Sequence, residues 1–177
     1  MSSERFRLAP LDAAHDRVSF NSNSEPLNRY LREQVTQDVR RRVAACFVAL
    51  ANGQCIAGYY TLASASLLLA DLPDSTGKKL PRYPTVPAVR MGRLAVDRTF
   101  KGQGLGGALL ADALDRAARS EIAAYALVVD AKGESAANFY RHHGFIALPD
   151  SPRTLFLPLA TVQLARNSPF PPRLHRG

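Results

Sequence analysis

The stretch VDRTFKGQGLGGALLADALDRA, Val96 to Ala117, joins an apolar segment to a helix through a run of glycines. Glycine loses more conformational freedom on ordering than any other residue, so four of them within six positions need a physical reason. They stand at 102, 104, 106 and 107. Apolar residues at four-residue spacing predict the helix that follows, and these are Leu105, Leu109, Ala113 and Ala117.

The glycine loop follows a predicted strand, PAVRMGRLAVD, which ends at Asp97. Gly104 and Gly106 leave the first helical turn without side-chain bulk, so its free N–H groups and the helix dipole face outward. Such a helix start predicts a phosphate or pyrophosphate site. A purely structural glycine-rich turn is the alternative.

Two other phosphate motifs fit less well. A Walker A loop needs Gly-Lys-Ser/Thr, which GQGLGG lacks. The dinucleotide fingerprint G-x-G-x-x-G matches with Gly107 in its last slot. That fingerprint usually follows the first strand of its fold, whereas this loop comes after residue 100 and after a predicted antiparallel hairpin.

The remaining pattern predicts a mixed α/β fold. A first strand spans Arg5–Leu11, and a helix with Ser24 as N-cap buries a stripe of Leu27, Leu31, Val35 and Val39. Asn52-Gly53 predicts a hairpin between two strands. The prolines between Leu69 and Pro87 predict a loop. Later elements are a buried strand over Tyr125–Ala131, a helix ended by Gly144, and a strand over TLFLPLATV, residues 154–162.

Size and composition limit the function classes. We expect a single domain over residues 1–166 and a disordered tail over 167–177. No apolar run of about 18 residues predicts a membrane span, and no signal peptide is evident, so we expect a cytoplasmic protein. The cysteines Cys46 and Cys55 are interpreted as small buried hydrophobes, and no metal site is predicted.

The net charge of +8 is unevenly distributed. Residues 29–101 carry twelve basic and five acidic side chains. A basic chain can attract nucleic acid, a phosphorylated cofactor or an acidic partner, but a merely soluble surface explains the charge equally well.

The segment Lys101-Gly102-Gln103-Gly104-Leu105-Gly106 resembles the acetyl-CoA motif of the GCN5-related N-acetyltransferases (GNAT), Gln/Arg-x-x-Gly-x-Gly/Ala. Lys101 departs from the first slot. VVDAKGESAANFYRHHGF resembles the later strand and helix of that family. The resemblance implies the GNAT fold, a mixed central sheet with splayed middle strands and helices on both faces.

From about Leu27 to Leu159 the chain is similar to one GNAT subgroup, the toxins of bacterial toxin–antitoxin pairs. The segments that carry the likeness are LNRYLREQVTQDVRRRVAACFV, GYYTLASASL, LPRYPTVPAVRMGRLAVD and GQGLGGALLADAL. The resemblance implies acetylation of the α-amino group of aminoacyl-tRNA, a block of translation, a ribbon-helix-helix antitoxin and a homodimer.

The family also implies roles for individual residues. Main-chain atoms of the strand would pair with the pantetheine arm of acetyl-CoA, the glycine loop would hold its pyrophosphate, and one helix would meet the cofactor. The residues assigned to acetyl-CoA are Leu94, Ala95, Val96, Lys101, Gly102, Gln103, Gly104, Leu105, Gly106, Gly107, Asn138 and Phe139. A solvent-facing helix position is the alternative for Asn138.

Tyr140 is the predicted catalytic residue. By resemblance its hydroxyl lies beside the cofactor sulfur, where it can donate a proton to the leaving thiolate. Spacing alone favours the interpretation that Phe139 and Tyr140 are core aromatics of a short helix, and the family resemblance reverses this preference. No Asp or Glu occurs in PAVRMGRLA, where many relatives carry a base. An α-amino group, with its pKa near 8, needs a base less than a lysine side chain does.

Basic residues would then contact tRNA phosphates, although a solvated surface position is the default for each. The candidates are Lys78, Lys79, Arg82, Arg90, Arg93, Arg29 and Arg41. Two rival functions stay open. One is a GNAT enzyme that acts on a protein N-terminus or a small amine, and the other is a non-catalytic nucleic-acid-binding module.

Overall fold

The computed structural model describes residues 6–166 of the 177-residue chain. Seven strands in this part form one mixed sheet in the order β1-β2-β3-β4-β5-β7-β6. The strands are β1 (Arg7–Pro10), β2 (Ala45–Ala51), β3 (Cys55–Leu68), β4 (Thr85–Val96), β5 (Ala126–Asp130), β6 (Ile146–Leu148) and β7 (Ser151–Pro158). The helices are α1 (Glu25–Arg29), α2 (Val35–Arg40), α3 (Asp74–Gly77), α4 (Leu105–Arg119), α5 (Glu134–His142) and α6 (Leu159–Arg166).

The described residues divide into two compact units. Residues 6–65 and 89–113 form the first unit, and residues 66–88 and 114–166 form the second. The expected single domain over 1–166 stays a prediction, and the expected disordered tail lies outside the described residues.

In the first unit, the predicted hairpin joins β2 to β3. Its turn contains Asn52 and Gly53 at φ of 49° and 85°, the left-handed region that this residue pair adopts readily. Ala51 pairs with Cys55 across the turn, and β1 adds to β2 as a second antiparallel neighbour. Cys46 is buried as expected, Cys55 is only partly buried, and both thiols are free.

The first helix differs from the prediction at its centre. Ser24 is the N-cap with Pro26 in the first turn, but Tyr30–Gln34 form a π-helical segment between α1 and α2. Leu31 and Val35 are fully buried, whereas Val39 is 42% exposed. A π segment contains an extra residue in its turn, so the following helix is rotated by about 100° relative to a continuous α-helix. The predicted stripe was therefore wrong at Val39.

Close packing at Gly58 connects β3 to the elements that carry the glycine loop. A Cβ atom at Gly58 would lie 2.7 Å from Leu109 Cδ1 and 2.9 Å from the carbonyl oxygen of Ala95. Only glycine allows β4 and α4 to approach β3 this closely, because a methyl group would overlap both neighbours. The close approach at Gly58 thus places Ala95 of β4 and Leu109 of α4 against β3.

In the second unit, the short apolar run predicted as a buried strand is β5, and its residues 126–129 are buried. It pairs with β7 in antiparallel register. Helix α5 is followed by Gly144 at φ 89°, as expected for a helix C-terminus.

Two expectations for this unit were wrong, and one strand was not predicted. The last strand spans Ser151–Pro158 rather than 154–162, and α6 starts at Leu159, because proline removes a backbone donor that further strand pairing would need. Strand β6 was not predicted. The segment expected as a loop contains a 3₁₀ turn, Leu69–Asp71, and α3. Between residues 6 and 166, no helix has the length and apolar character that crossing a membrane requires.

Candidate active site

The glycine loop is anchored at its entrance by Asp97, which is 6% exposed. Its Oδ1 accepts a hydrogen bond from the Thr99 N–H at 2.9 Å, and its Oδ2 accepts one from the Asn21 N–H at 2.9 Å. Burial alone would raise the pKa of Asp97, but these hydrogen bonds outweigh it and hold the pKa below its usual value. The charged carboxylate fixes the turn that leads from β4 into the loop.

The loop backbone is open to solvent at its two left-handed glycines. Gly102 and Gly104 both have φ of 79°, and a Cβ atom at either position would meet nothing within 4 Å. Helix α4 starts directly afterwards, and the N–H of Ala108 donates to the carbonyl of Gly104. The preceding N–H groups of the first turn have no intrahelical acceptor and are available to an anion.

Neighbouring loop residues have different surroundings. Leu105 is buried, Gly106 and Gly107 are half-buried, and Gln103 is exposed. Lys101, the residue that departs from the family motif, donates from Nζ to the carbonyl oxygen of Ser22 at 2.9 Å. Its ammonium group thus ties the loop to the segment before α1.

Side-chain burial alternates along the end of β4, as expected for a strand. Ala95 is buried, with its carbonyl close to Gly58, while Leu94 and Val96 are half-buried. Successive strand residues point to opposite faces, so Leu94 and Val96 share the face opposite to that of Ala95. Their side chains do not occupy a closed core position, which suits the main-chain role predicted for them.

Arg93 has a contact that the sequence did not predict. Its guanidinium carbon lies 3.5 Å from the centroid of the Tyr30 ring. The Tyr30 hydroxyl donates to Asp38 Oδ2 at 2.8 Å, and burial together with this bond raises the pKa of Tyr30. Hydrogen bonds from Gln34 and Tyr30 lower the pKa of Asp38. No local sequence pattern predicts this contact, because its two residues lie on separate elements, β4 and the π-helical segment Tyr30–Gln34.

Helix α5 carries the residues predicted to meet the reacting end of acetyl-CoA. Asn138 is exposed, and its side-chain oxygen accepts a hydrogen bond from Arg141 at 2.7 Å. Arg141 also forms an ion pair with Glu134 at 3.1 Å. Phe139 is half-buried and makes edge contacts with Tyr140 and His143, at centroid distances of 5.3 and 4.8 Å.

Tyr140 is 8% exposed and packs in an aromatic cluster. Its ring centroid lies 5.4 Å from that of Phe145 and 5.3 Å from that of Phe139. Burial raises the pKa of Tyr140 to about 12, so its hydroxyl keeps its proton at neutral pH. Among residues 6–166 this hydroxyl has no hydrogen-bond partner. The ring is part of a core, as the alternative interpretation held, and its O–H remains available as a donor.

The basic candidates fall into two groups, one in each unit. Lys78, Lys79 and Arg82 are exposed in the second unit, on the segment that follows α3. The first unit holds two exposed residues, Arg29 and Arg41, and two half-buried residues of β4, Arg90 and Arg93. The guanidinium of Arg93 packs on the Tyr30 ring. The tRNA-contact assignments remain predictions.

Comparison with known proteins defines the class. The family model described as the Acetyltransferase (GNAT) family matches residues 12–145. The chain belongs to this family, and it is an N-acetyltransferase. The predictions of the family, of the fold, of the activity and of acetyl-CoA as the cofactor are confirmed.

Individual relatives indicate a narrower group within this family. A tRNA-acetylating toxin of Mycobacterium tuberculosis is 37% identical over 146 residues, which cover 81% of this chain and 86% of the relative. A structure of AtaT complexed with acetyl-methionyl-tRNAfMet has a TM-score of 0.85 at 32% identity, covering 91% of this chain and 99% of that one. A mutant AtaT toxin bound to the C-terminus of the antitoxin AtaR and acetyl-CoA has a TM-score of 0.78 at 27% identity, covering 92% and 98%. The predicted likeness to the toxin subgroup is thereby confirmed.

The described residues fit acetyl-CoA. The open space above Gly102 and Gly104 and the free N–H groups at the start of α4 suit its pyrophosphate. When bound, acetyl-CoA supplies the acetyl group as a thioester. The assignments of individual residues to acetyl-CoA stay predictions.

Proposed function

We propose that this N-acetyltransferase is a toxin that acetylates the α-amino group of aminoacyl-tRNA and so blocks translation in the cytoplasm. We propose further that it acts as a homodimer and is neutralised by a ribbon-helix-helix antitoxin. The observation that carries the proposal is the likeness to a tRNA-acetylating toxin over 81% of this chain. The AtaT complexes with acetylated tRNA and with an antitoxin support the same assignment.

In this proposal the glycine loop and β4 bind the donor. The N–H groups of residues 104–107 would hold the pyrophosphate, and main-chain atoms of Leu94 and Val96 would pair with the pantetheine arm. Asp97 keeps the loop in place through its hydrogen bonds to Thr99 and Asn21. These residues bind and orient the thioester and take no part in proton transfer.

Tyr140 would serve the leaving sulfur as a hydrogen-bond donor. With a pKa of about 12, its hydroxyl is a far weaker acid than a thiol, whose pKa is about 8.5. Full transfer of the tyrosine proton to the thiolate is therefore unfavourable. A hydrogen bond from a buried donor nevertheless stabilises charge that develops on sulfur in the transition state. The final proton on sulfur would come from the amine or from solvent.

The absence of a carboxylate along the end of β4 suits an α-amino group as the acceptor of the acetyl group. Residues 87–96 include no Asp or Glu. A free α-amino group has a pKa of about 7.7–8.0, and esterification of the neighbouring carboxylate lowers it further, so much of it is neutral at physiological pH. Water can then accept the proton that is released on attack. A lysine side chain, with a pKa near 10.4, would require a base.

The charge between Ser75 in α3 and Arg93 in β4 favours a polyanionic substrate. From Ser75 to Arg93 the chain has five basic residues and no acidic residue. Lys78, Lys79 and Arg82 are exposed and can neutralise tRNA phosphates, which would make binding depend on salt concentration. The same residues could also contact an acidic antitoxin segment, and the two uses are compatible.

The test is the transfer of a labelled acetyl group from acetyl-CoA to a pool of charged tRNAs. We expect label on charged tRNA and none on the same pool after deacylation. The triple variant Lys78→Glu, Lys79→Glu, Arg82→Glu should weaken tRNA acetylation and flatten its salt dependence while acetyl-CoA binding stays unchanged. Reversal of Arg119 and Arg153, both exposed in the same unit, is the control. Label on a protein N-terminus or a polyamine instead of tRNA would contradict the proposal.

A further inference from the structure

One aromatic side chain in the second unit lies outside the core without an evident structural role. Tyr83 is 69% exposed. Most large aromatic residues bury their rings, because each ring contributes substantially to core stability. Tyr83 directly follows Arg82, and Lys78 and Lys79 lie a few residues earlier on the same exposed segment. An exposed ring is therefore a close sequence neighbour of three exposed cationic side chains.

The backbone on either side of Tyr83 is restricted in conformation. Pro81 and Pro84 flank Arg82-Tyr83, and a residue that precedes proline is confined to extended conformations. The carbonyl of Pro84 accepts a hydrogen bond from the N–H of Leu69 at 3.0 Å. On the other side, the N–H of Leu80 donates to the carbonyl of Gly77 at 3.2 Å. Little backbone freedom remains to be lost when a partner covers the ring.

We infer that Tyr83 is a stacking platform for an unpaired base at the 3′ end of the charged tRNA. The inference rests on the proposed function and specifies which part of the substrate this segment contacts. Proteins recognise single-stranded nucleic acid by aromatic rings beside a positively charged track, because every base has a face that can stack. Bases within the paired stems of tRNA are already stacked on both sides, whereas those of the single-stranded 3′ end are accessible.

The contribution of Tyr83 to substrate binding differs in its salt dependence from that of the neighbouring cations. Lys78, Lys79 and Arg82 would contact phosphates, so their contribution should fall with salt. Stacking of an uncharged ring involves no counterion release, so the contribution of Tyr83 should not change with salt. Because the stacked base is not the reacting group, the ring binds substrate and transition state alike and affects KM rather than kcat.

The experiment measures initial rates of acetylation of charged tRNA by the full chain and by Tyr83→Ala, Tyr83→Leu and Tyr83→Phe variants. Alanine and leucine should each raise KM about tenfold with kcat unchanged, and phenylalanine, which keeps the ring, should restore the wild-type KM. The salt dependence of KM should be the same in all four proteins. Ile122→Ala, at a site 83% exposed in the same unit, should change nothing.

A short aminoacylated acceptor-stem RNA with the single-stranded 3′ end should show the same ratio between Tyr83→Ala and wild-type KM. An equal KM for Tyr83→Ala and wild type would overturn the inference, as would a leucine variant that behaves like phenylalanine. A lower molecular mass of Tyr83→Ala in sedimentation would assign the ring to a contact between protein chains instead. Failure of the proposed function is distinguishable, because the wild-type protein would then acetylate no charged tRNA.

Discussion

Replacement of Gly104 by alanine should separate the role of the glycine loop in binding from its role in folding. Gly104 has φ of 79°, and nothing lies within 4 Å of the position of an added Cβ. The cost to folding is therefore backbone strain alone. A left-handed conformation costs a non-glycine residue about 1–2 kcal/mol, and the lower entropy of the unfolded alanine chain offsets about 0.4–1 kcal/mol of this. The free energy of unfolding should fall by about 1 kcal/mol.

Gly53 provides the matched control. It belongs to the same unit, has φ of 85°, and also has open space around its Cβ position, but it lies in the β2–β3 turn. Gly53→Ala should thus lower the free energy of unfolding by the same amount. Only Gly104→Ala places a methyl group where a phosphate would approach the backbone. Loss of one charge-assisted hydrogen bond, about 2 kcal/mol, would raise the Kd of acetyl-CoA about thirtyfold.

The assays are urea unfolding and calorimetric titration of acetyl-CoA into each variant. We expect equal losses of stability in the two variants and a loss of acetyl-CoA affinity in Gly104→Ala alone. Unchanged acetyl-CoA affinity in Gly104→Ala would refute the assignment of the loop to the cofactor. Equal weakening of acetyl-CoA binding in Gly53→Ala would show that the effect is a general consequence of strain.

Two further predictions concern packing and protonation. Gly58→Ala should lower the free energy of unfolding by about 1–3 kcal/mol and also weaken acetyl-CoA binding, because the new methyl group would displace Ala95 or Leu109. Gly133→Ala, at φ −168° with open space, should lower neither quantity in the same assays. The kcat/KM for charged tRNA should rise from pH 6 to about 8 as the amine loses its proton. It should then stay level to about pH 9.5 in initial-rate assays, because Tyr140 with its pKa of about 12 remains protonated, and a fall centred near pH 9 would contradict this.

The sequence predicted the elements whose signals are local. The Asn52-Gly53 turn, the glycine loop before α4 and the glycine that follows α5 each depend on backbone conformations favoured by the residue itself. Strand β5 was predictable because a strand that is buried on both faces has a continuous apolar run instead of alternating polar and apolar residues. Residues 126–129 form such a run and are buried. These features are sufficient to locate the candidate donor site along the chain.

Features that depend on tertiary packing were not predictable. The π-helical turn at Tyr30–Gln34 leaves Val39 exposed, although its spacing matches the buried Leu31 and Val35. The contact between Arg93 and Tyr30 joins residues 63 positions apart. The bond from Lys101 to the carbonyl of Ser22 also crosses a long stretch of chain. Both contacts give structural partners to residues that the sequence marked only as ligand-binding candidates.

The most direct test of the central claim is acetylation of charged tRNA by the wild-type protein and by Tyr140→Phe, with labelled acetyl-CoA. We expect label that leaves the tRNA with its amino acid on mild alkaline hydrolysis, and kcat reduced about a hundredfold in the variant. Acetyl-CoA affinity should be equal in the two proteins, since the aromatic ring is kept. Wild-type protein that binds acetyl-CoA but places no label on any aminoacyl group would contradict the account, and a fully active variant would remove Tyr140 from the mechanism.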